Sequence, residues 1–285
     1  MWMQKLEVET PYNFDRVLER MSLDPLNVVD LYNREVKVPL YDESKQPFVV
    51  EVKAIGRQFM ITGEDENQRD TALSEMSRIF GWNVPLSVIH SHFERTNLAE
   101  LFEEHEGTPL VLDFHVYNCL MKCFIHQQLN IKFAYVLTER FVRTFGFEID
   151  GVPFYPSADT VAKLEYEQLT ELQFSRRKAE YIIDTARKIA ENEINLEQLE
   201  TMTNEEVLEN LIKVRGIGAW TVQNVLLFGL GRPNLFPTSD IGLQNAMKQF
   251  FKLENKPAKE EMDALSEKWS PYLSYASLYL WRSIE

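Results

Sequence analysis

The chain has 285 residues, of which 45% are hydrophobic and 26% charged, enough for about two domains with apolar cores of their own. No apolar run approaches the ~20 residues that a membrane-spanning helix needs. Two cysteines are too few for a disulfide framework or for the four thiolates of an iron–sulfur cluster, so a reducing cytoplasm is expected.

The negative charge is distributed unevenly along the chain. The net charge is −14 at pH 7, and residues 1–110 carry 11 basic and 20 acidic side chains. Residues 211–253, by contrast, have five basic side chains and one acid, Asp240. Such a segment is compatible with binding nucleic acid through a few phosphates, but not with a broad non-specific coating of DNA. The alternative is that the five basic residues form an ordinary solvated surface.

Residues 1–106 have the pattern of strands and helices separated by turns. Alternating or clustered β-branched and aromatic residues predict strands at 35–40, 47–55 and 59–63. The spacing of apolar residues predicts helices at 14–21, 71–80 and 98–102. Together these elements predict a small α+β domain with an antiparallel sheet.

Residues 107–285 are expected to form a second, all-helical domain, because helical periodicity dominates there. The predicted helices span 112–127, 131–145, 176–192, 204–213, 218–230, 240–251, 258–268 and 272–283. Most of the breaks between them contain glycine or proline, as at 146–156 and 231–237. The predicted fold class is therefore α+β, with a sheet domain followed by a helical domain.

A tight turn between two predicted helices, within residues 204–230, has two glycines around one apolar residue. These are Gly216, Ile217 and Gly218. Glycine allows positive φ and has no side chain, so backbone N–H groups at the start of the second helix can approach a phosphate closely. Lys213 and Arg215 add positive charge at the same place. A Gly-Ile-Gly turn can also join ordinary packed helices, but the flanking helices and the basic pair favour a phosphate site.

Asp240 follows Trp220 by twenty residues, at the predicted start of another helix. Pro237 ends the preceding segment, and Ser239 or Asp240 then begins the helix as its N-cap or first-turn acid. One interpretation is that Asp240 is only a cap. The other is that its carboxylate lies beside a pocket and stabilises positive charge there.

The stretch from Gly216 to Thr221, followed by Asp240 at this distance, resembles the helix-hairpin-helix DNA glycosylase superfamily. The closer resemblance is to its bacterial DNA-3-methyladenine glycosylase II branch, the alkylation-repair type. Motifs at residues 11–14, 124–129 and 269–281 resemble motifs of that branch, so the resemblance covers most of the chain. It implies a two-lobed helical core behind the sheet domain, with a cleft between the lobes.

The resemblance implies a base-excision repair enzyme that flips alkylated purines of the 3-methyladenine type, hydrolyses their N-glycosidic bond and leaves an abasic site. Asp240 would then be the catalytic carboxylate, which stabilises oxocarbenium character on the deoxyribose or orients the attacking water. Trp220 matches the position of a lysine in the bifunctional glycosylase/lyases. Since no Schiff base can form there, the enzyme is expected to be monofunctional.

The resemblance also assigns the surroundings of the base. Trp220 and Trp281 would stack on a flipped base, with Asn224 on the same helix face as Trp220; ordinary core packing is the alternative for both tryptophans. Leu129 would be the apolar wedge that fills the gap in the duplex. The residues expected to bind DNA at the hairpin are Lys213, Arg215, Gly216, Ile217, Gly218 and Thr221.

No cofactor is expected to be required. The resemblance implies a structural monovalent cation on the backbone carbonyls of Ile212, Val214 and Ile217. It further implies a monomer whose partner is double-stranded DNA containing damaged bases, with no membrane partner.

The base preference remains open, because the chain departs from the family at three positions. Members of the family have tyrosines where this chain has Asn224 and Ile241, and an apolar aromatic residue where it has Arg20. Arg20 would repel a cationic base if it pointed inward, or it points to solvent. One alternative function is a glycosylase for a deaminated or other damaged base, with Asn224 donating a hydrogen bond. The other is a non-catalytic helix-hairpin-helix DNA-binding protein that grips only phosphate.

Overall fold

The first part of the chain forms an antiparallel sheet of five strands, in a computed structural model that describes residues 1–284. In spatial order the strands run β1, β5, β4, β3, β2. They are β1 (Trp2–Glu7), β2 (Val28–Asp30), β3 (Glu35–Tyr41), β4 (Pro47–Ile55) and β5 (Gln58–Gly63). Burial alternates along β4, because only one face of the sheet is covered. The covering helices are α1 (Phe14–Ser22) and α2 (Arg69–Phe80).

Helices dominate the rest of the described chain. They are α3 (Leu86–Phe93), α4 (Ala99–Glu104), α5 (Val116–His126), α6 (Ile131–Phe145), α7 (Ala158–Ala162), α8 (Tyr166–Glu171), α9 (Arg176–Ala190), α10 (Asn204–Leu211), α11 (Ala219–Asn224), α12 (Ile241–Phe250), α13 (Lys259–Leu265) and α14 (Leu273–Arg282). A π-helical turn at Val225–Gly229 continues α11. None of the helices within residues 1–284 is long and apolar enough to cross a bilayer.

The α+β fold class is confirmed, and every predicted strand and helix has a counterpart in the structure. Several elements were not predicted: β1, β2, α3, α7, α8 and a hairpin of β6 (Phe147–Ile149) and β7 (Val152–Phe154). The hairpin lies inside the break predicted at 146–156. Asp150 and Gly151 at its turn have φ of 51° and 75°, which is the backbone conformation that Asp-Gly hairpin turns adopt.

The helix predicted to begin at residue 112 begins at Val116 instead. The backbone N–H of Leu112 donates to the carbonyl of Ile79 at 2.9 Å, and that of Asp113 donates to the carbonyl of Phe228 at 2.8 Å. The prediction was wrong for this first turn because its backbone is bound to other segments. These bonds tie the start of α5 both to the sheet domain and to the π-helical turn.

Three clusters of buried apolar side chains organise the molecule. The first joins the sheet to α1 and α2. The second joins α5, α6 and α9 to the hairpin helices α10 and α11, and the third joins α3 and α4 to α12 and α14. The helical part therefore has two lobes. One includes α5, α6, α9, α10 and α11, and the other, the C-terminal lobe, includes α3, α4, α12 and α14. The helices α3 and α4 pack on the C-terminal lobe, so the last buried residue in the core of the sheet domain is Phe80. The domain boundary at residues 106/107 stays a prediction.

Candidate active site

The hairpin between α10 and α11 uses its two glycines differently. Gly216 has a φ of +93°, and a Cβ there would overlap the ring of Tyr181. Both the backbone conformation and the available space therefore require glycine at this position. Gly218 has a φ of −112°, and a Cβ there would meet no atom within 4 Å. Gly218 therefore has an ordinary backbone conformation, and its missing side chain leaves open space at the start of α11.

Gln127 fastens the hairpin to the end of α5. Its Nε2 donates to the carbonyl of Gly216 at 3.0 Å and to Oγ1 of Thr221 at 2.9 Å. The side chains of Thr221 and Ile217 are buried. These two predicted DNA-binding residues therefore support the turn from inside the protein. Gln127 belongs to a motif that the resemblance covered, but only the fold shows that it holds the hairpin.

The two basic residues of the hairpin are exposed and differ in their partners. Arg215 donates to Oε2 of Glu180 at 2.8 Å, and its guanidinium carbon lies 5.6 Å from the ring centroid of Tyr181. Lys213 makes no hydrogen bond or ion pair with a described residue. Its ammonium group is therefore free to meet a phosphate, whereas Arg215 would share its charge with Glu180.

The three carbonyls predicted to hold a cation lie in this turn. The N–H of Ile217 donates to the carbonyl of Val214 at 3.0 Å, and no donor in the described chain bonds to the carbonyls of Ile212 or Ile217. Hard cations take oxygen ligands of this kind. Two of the three carbonyls are therefore available to a cation, and the cation itself stays a prediction.

Asp240 is the N-cap of α12, but capping uses only one of its two carboxylate oxygens. Oδ1 accepts from the N–H of Leu243 at 2.8 Å and from Nε1 of Trp281 at 3.1 Å. Oδ2 accepts no hydrogen bond from a residue that the structure describes, and the side chain is partly exposed. Two donors thus fix the carboxylate while one oxygen stays available to a ligand. The capping and catalytic interpretations are compatible.

Gly242 allows Trp281 to reach this carboxylate. A Cβ on Gly242 would lie 3.0 Å from Oδ1 of Asp240 and 3.5 Å from Nε1 of Trp281. The centroid of the Trp281 ring lies 6.1 Å from that of the Phe228 ring. Trp281 packs on the core of the C-terminal lobe and also bonds the carboxylate, but it does not line the cavity described below. Its stacking on a flipped base stays a prediction.

A cavity of about 670 Å³ lies where the sheet domain meets the helical lobes. Trp220, Asn224 and Phe228 line it from α11 and the π-helical turn, and Leu129 lines it from the end of α5. Arg20 enters from α1, with its guanidinium carbon 5.5 Å from the centroid of the Phe228 ring. Of the two orientations left open for Arg20, the structure has the inward one.

Asn224 directs part of its amide to its own helix. Its Nδ2 donates to the carbonyl of Trp220 at 2.8 Å. One N–H and the oxygen of the amide remain for a ligand. Ile241, the other position where the family has a tyrosine, is 64% exposed and does not line the cavity.

The predicted wedge residue, Leu129, has a more exposed neighbour. Leu129 is partly buried and packs against the core of its lobe, whereas Gln128 is exposed and has a φ of +57°. This conformation is uncommon for a residue other than glycine. The turn after α5 therefore presents two adjacent candidates for the wedge.

The cavity wall also contains three charged groups that no sequence pattern had linked. Nζ of Lys122 lies 2.6 Å from Oδ1 of Asp113 and 3.0 Å from Oδ2 of Asp24. Burial lowers the pKa of Lys122, but the two carboxylates outweigh it and hold that pKa well above its usual value. Burial, with a further contribution from Lys122, lowers the pKa of His126 to about 4. At pH 7 Lys122 is therefore a fixed cation and His126 a neutral ring.

Comparison with known proteins identifies the family. Residues 121–271 match the model described as "HhH-GPD superfamily base excision DNA repair protein". The chain is also 57% identical to the Bacillus subtilis protein named "Putative DNA-3-methyladenine glycosylase YfjP", and the match covers 100% of both chains. The chain belongs to the HhH-GPD superfamily. The family resemblance drawn from the motifs is confirmed.

Two solved structures of similar proteins extend this comparison. A 3-methyladenine DNA-glycosylase from Archaeoglobus fulgidus has a TM-score of 0.85 and 25% identity, over 99% of this chain and 97% of that chain. A Schizosaccharomyces pombe 3-methyladenine DNA glycosylase in complex with abasic DNA has a TM-score of 0.60 and 25% identity, over 68% of this chain and 95% of that chain. The matched HhH-GPD segment includes the hairpin and Asp240, while the sheet and Trp281 lie outside it.

Proposed function

We propose that the protein is a monofunctional DNA glycosylase that hydrolyses the N-glycosidic bond of alkylated purines of the 3-methyladenine type and leaves an abasic site. The observation that carries this proposal is the carboxylate of Asp240, held by two donors through Oδ1 with Oδ2 available. Bond cleavage builds positive charge on the deoxyribose, and a fixed carboxylate stabilises it or orients the attacking water. The names of the similar proteins support the substrate class.

Trp220 and the ion-paired Lys122 of the cavity wall support a water-using reaction. A lyase needs a neutral lysine amine as its nucleophile, and Trp220 matches the position of that lysine in the lyase branches. Lys122 does line the cavity, but Asp24 and Asp113 hold it protonated. A protonated amine has no lone pair with which to attack the sugar.

The proposed partner is double-stranded DNA with a damaged base, bound by one copy of the protein. The exposed Lys213 and the open backbone at Gly218 would meet phosphate, and the partly buried Trp220 would border the extruded base. Gln128 or Leu129 would fill the gap in the duplex. The proposed structural cation would lie on the carbonyls of Ile212, Val214 and Ile217, and no other cofactor is proposed.

A second candidate is a glycosylase for a deaminated base such as hypoxanthine or uracil. The polar groups of the cavity wall favour it, because Arg20 and Asn224 can form hydrogen bonds with an uncharged base. This candidate keeps the same carboxylate chemistry at Asp240. The two candidates therefore differ only in the base that is released.

Single-turnover base release from methylated duplex DNA, with wild type and Asp240→Asn side by side, tests the proposal. Asparagine has the size of aspartate and also caps helices, so the variant keeps the start of α12 while losing the charge. We expect 3-methyladenine from the wild type and a rate at least about 100-fold lower from Asp240→Asn. Borohydride should trap no covalent adduct.

Other outcomes would contradict parts of the proposal. Equal rates for wild type and variant would remove the catalytic role of Asp240, and a trapped adduct would show a lyase. Release from duplexes that contain hypoxanthine or uracil, without release of 3-methyladenine, would favour the second candidate. Equal DNA binding by both proteins without any base release would indicate a non-catalytic binding protein.

A further inference from the structure

Arg20 brings hydrogen-bond donors without protein partners into the cavity. Its guanidinium forms no hydrogen bond or ion pair with any residue described by the structure. The other cation discussed above, Lys122, is satisfied by two carboxylates. Asn118, only 8% exposed, lines the same cavity, and its amide likewise makes no hydrogen bond within the described chain. These polar groups are therefore available to a polar ligand that enters the cavity.

The position of Arg20 relative to Asp240 indicates which part of a ligand it would meet. Trp281 donates to Oδ1 of Asp240, the rings of Trp281 and Phe228 are neighbours, and the guanidinium of Arg20 lies over Phe228. Asp240 and Trp281 themselves do not line the cavity, but Trp220, which the proposed function places beside the extruded base, lines it together with Arg20. A base beside Trp220 would therefore meet Arg20.

We propose that Arg20 determines base specificity by donating hydrogen bonds to the carbonyl oxygen at position 6 of an extruded purine. This inference rests on the proposed function, which places the sugar at Asp240. A guanidinium has five N–H donors and no acceptor, and arginine commonly bonds the O6/N7 edge of guanine. When N7 is methylated, O6 remains as the acceptor on that edge. A 6-aminopurine has an amino group at this position, so its N–H donors would face the N–H donors of Arg20.

Methylated DNA offers a comparison at equal charge. It releases 7-methylguanine, which has a carbonyl at position 6, and 3-methyladenine, which has an amino group there. Both bases are cationic while attached to the sugar, so repulsion by Arg20 acts on both. The ratio of the two release rates from one duplex preparation therefore measures the hydrogen bond at position 6 separately from charge.

The experiment compares four proteins on this duplex: wild type, Arg20→Met, Arg20→Lys and Arg16→Met. Arg20→Met should lower the release of 7-methylguanine by about 10- to 100-fold, without slowing release of 3-methyladenine. Arg20→Lys keeps the charge but loses the planar fork, so its ratio should lie between those of wild type and Arg20→Met. Arg16→Met is the matched control: Arg16 lies one turn earlier on α1, is paired with Glu19 at 2.8 Å and does not line the cavity. Its ratio should equal that of the wild type.

Two results would overturn the inference. One is an unchanged ratio in Arg20→Met, and the other is an equal fall for both bases, which would mean that Arg20 only supports the fold. If the wild type releases no base, the proposed function fails, but Arg20 can still be tested with free bases. Hypoxanthine should then bind the wild type more tightly than adenine does, measured by ligand-observed NMR, and Arg20→Met should lose this preference. Equal binding of the two bases by the wild type would also refute it.

Discussion

Replacing Lys122 with methionine tests the charged group that joins the sheet domain to α5. Methionine keeps most of the side-chain length but leaves the carboxylates of Asp24 and Asp113, which are 7% and 20% exposed, without their cation. Removing one partner of a buried ion pair costs about 3–5 kcal/mol, and the partial exposure of this group favours the lower end, about 3 kcal/mol. For a chain of this size such a loss lowers the Tm by about 6–12 °C.

The loss should depend on pH in a defined direction. Burial raises the pKa of Asp113, but Lys122 outweighs it and holds that pKa below the ordinary value of 3.8. A carboxyl with a lowered folded-state pKa contributes stability above its unfolded-state pKa and loses that contribution as the pH falls through the folded-state value. Lys122, with a raised pKa, contributes below its ordinary value of 10.5 and loses its contribution above it. The advantage of the wild type should therefore be largest near neutral pH and shrink below pH 3.8.

Urea unfolding at pH 7 and at pH 3.5 measures both effects. The control is Lys132→Met, because Lys132 also lines the cavity but is exposed and makes no ion pair in the described chain. Its stability should stay within about 0.5 kcal/mol of the wild type. The reasoning is refuted if Lys122→Met loses less than about 1 kcal/mol at pH 7, which would place the pair in the range of a surface ion pair. It is also refuted if the deficit is the same at both pH values.

Two further predictions concern the turns that face DNA. Gly216→Ala should lose about 1–3 kcal/mol in urea unfolding and weaken duplex binding in a fluorescence-anisotropy titration, because it forces a Cβ into an occupied space at positive φ. Gly218→Ala, which meets no protein atom, should keep its stability; equal losses for both would contradict the assignment. Gln128→Ala should slow base release from duplex DNA without lowering the Tm, since Gln128 is exposed. Leu129→Ala should lower the Tm because Leu129 packs on the core, and the opposite pattern would make Leu129 the wedge.

Long periodic elements could be predicted from the sequence, whereas short ones could not. The helix predicted at 131–145 has the same bounds in the structure, because fifteen residues repeat the apolar spacing often enough to be recognised. The strands β6 and β7 have three residues each, too few to show alternation, although Asp150 and Gly151 carried a turn signal. The error at the start of α5 has another cause, since hydrogen bonds from distant segments outweigh local helical preference there.

The resemblance assigned site residues as far apart as Leu129 and Trp281, but the contacts between distant residues could not be predicted from the sequence. The hairpin and Asp240 lie in one matched segment, so their spacing was informative. The bond between Trp281 and Asp240 spans 41 positions, and the contact of Lys122 with Asp24 joins two domains. No local sequence pattern indicates a contact between residues so far apart along the chain. The cavity wall, and with it the inward orientation of Arg20, depends on the packing of the whole chain.

The carboxylates around the cavity offset most of the positive charge on its wall. Lys122 is more than offset by Asp24 and Asp113, so these three groups together carry one negative charge at neutral pH. Arg20 and the exposed Lys132 also line the cavity, so the five groups together carry a single net positive charge. Selection by Arg20 would therefore act through the direction of its N–H donors rather than through its charge. Arg20→Met removes one positive charge from the wall, which should speed release of the cationic 3-methyladenine.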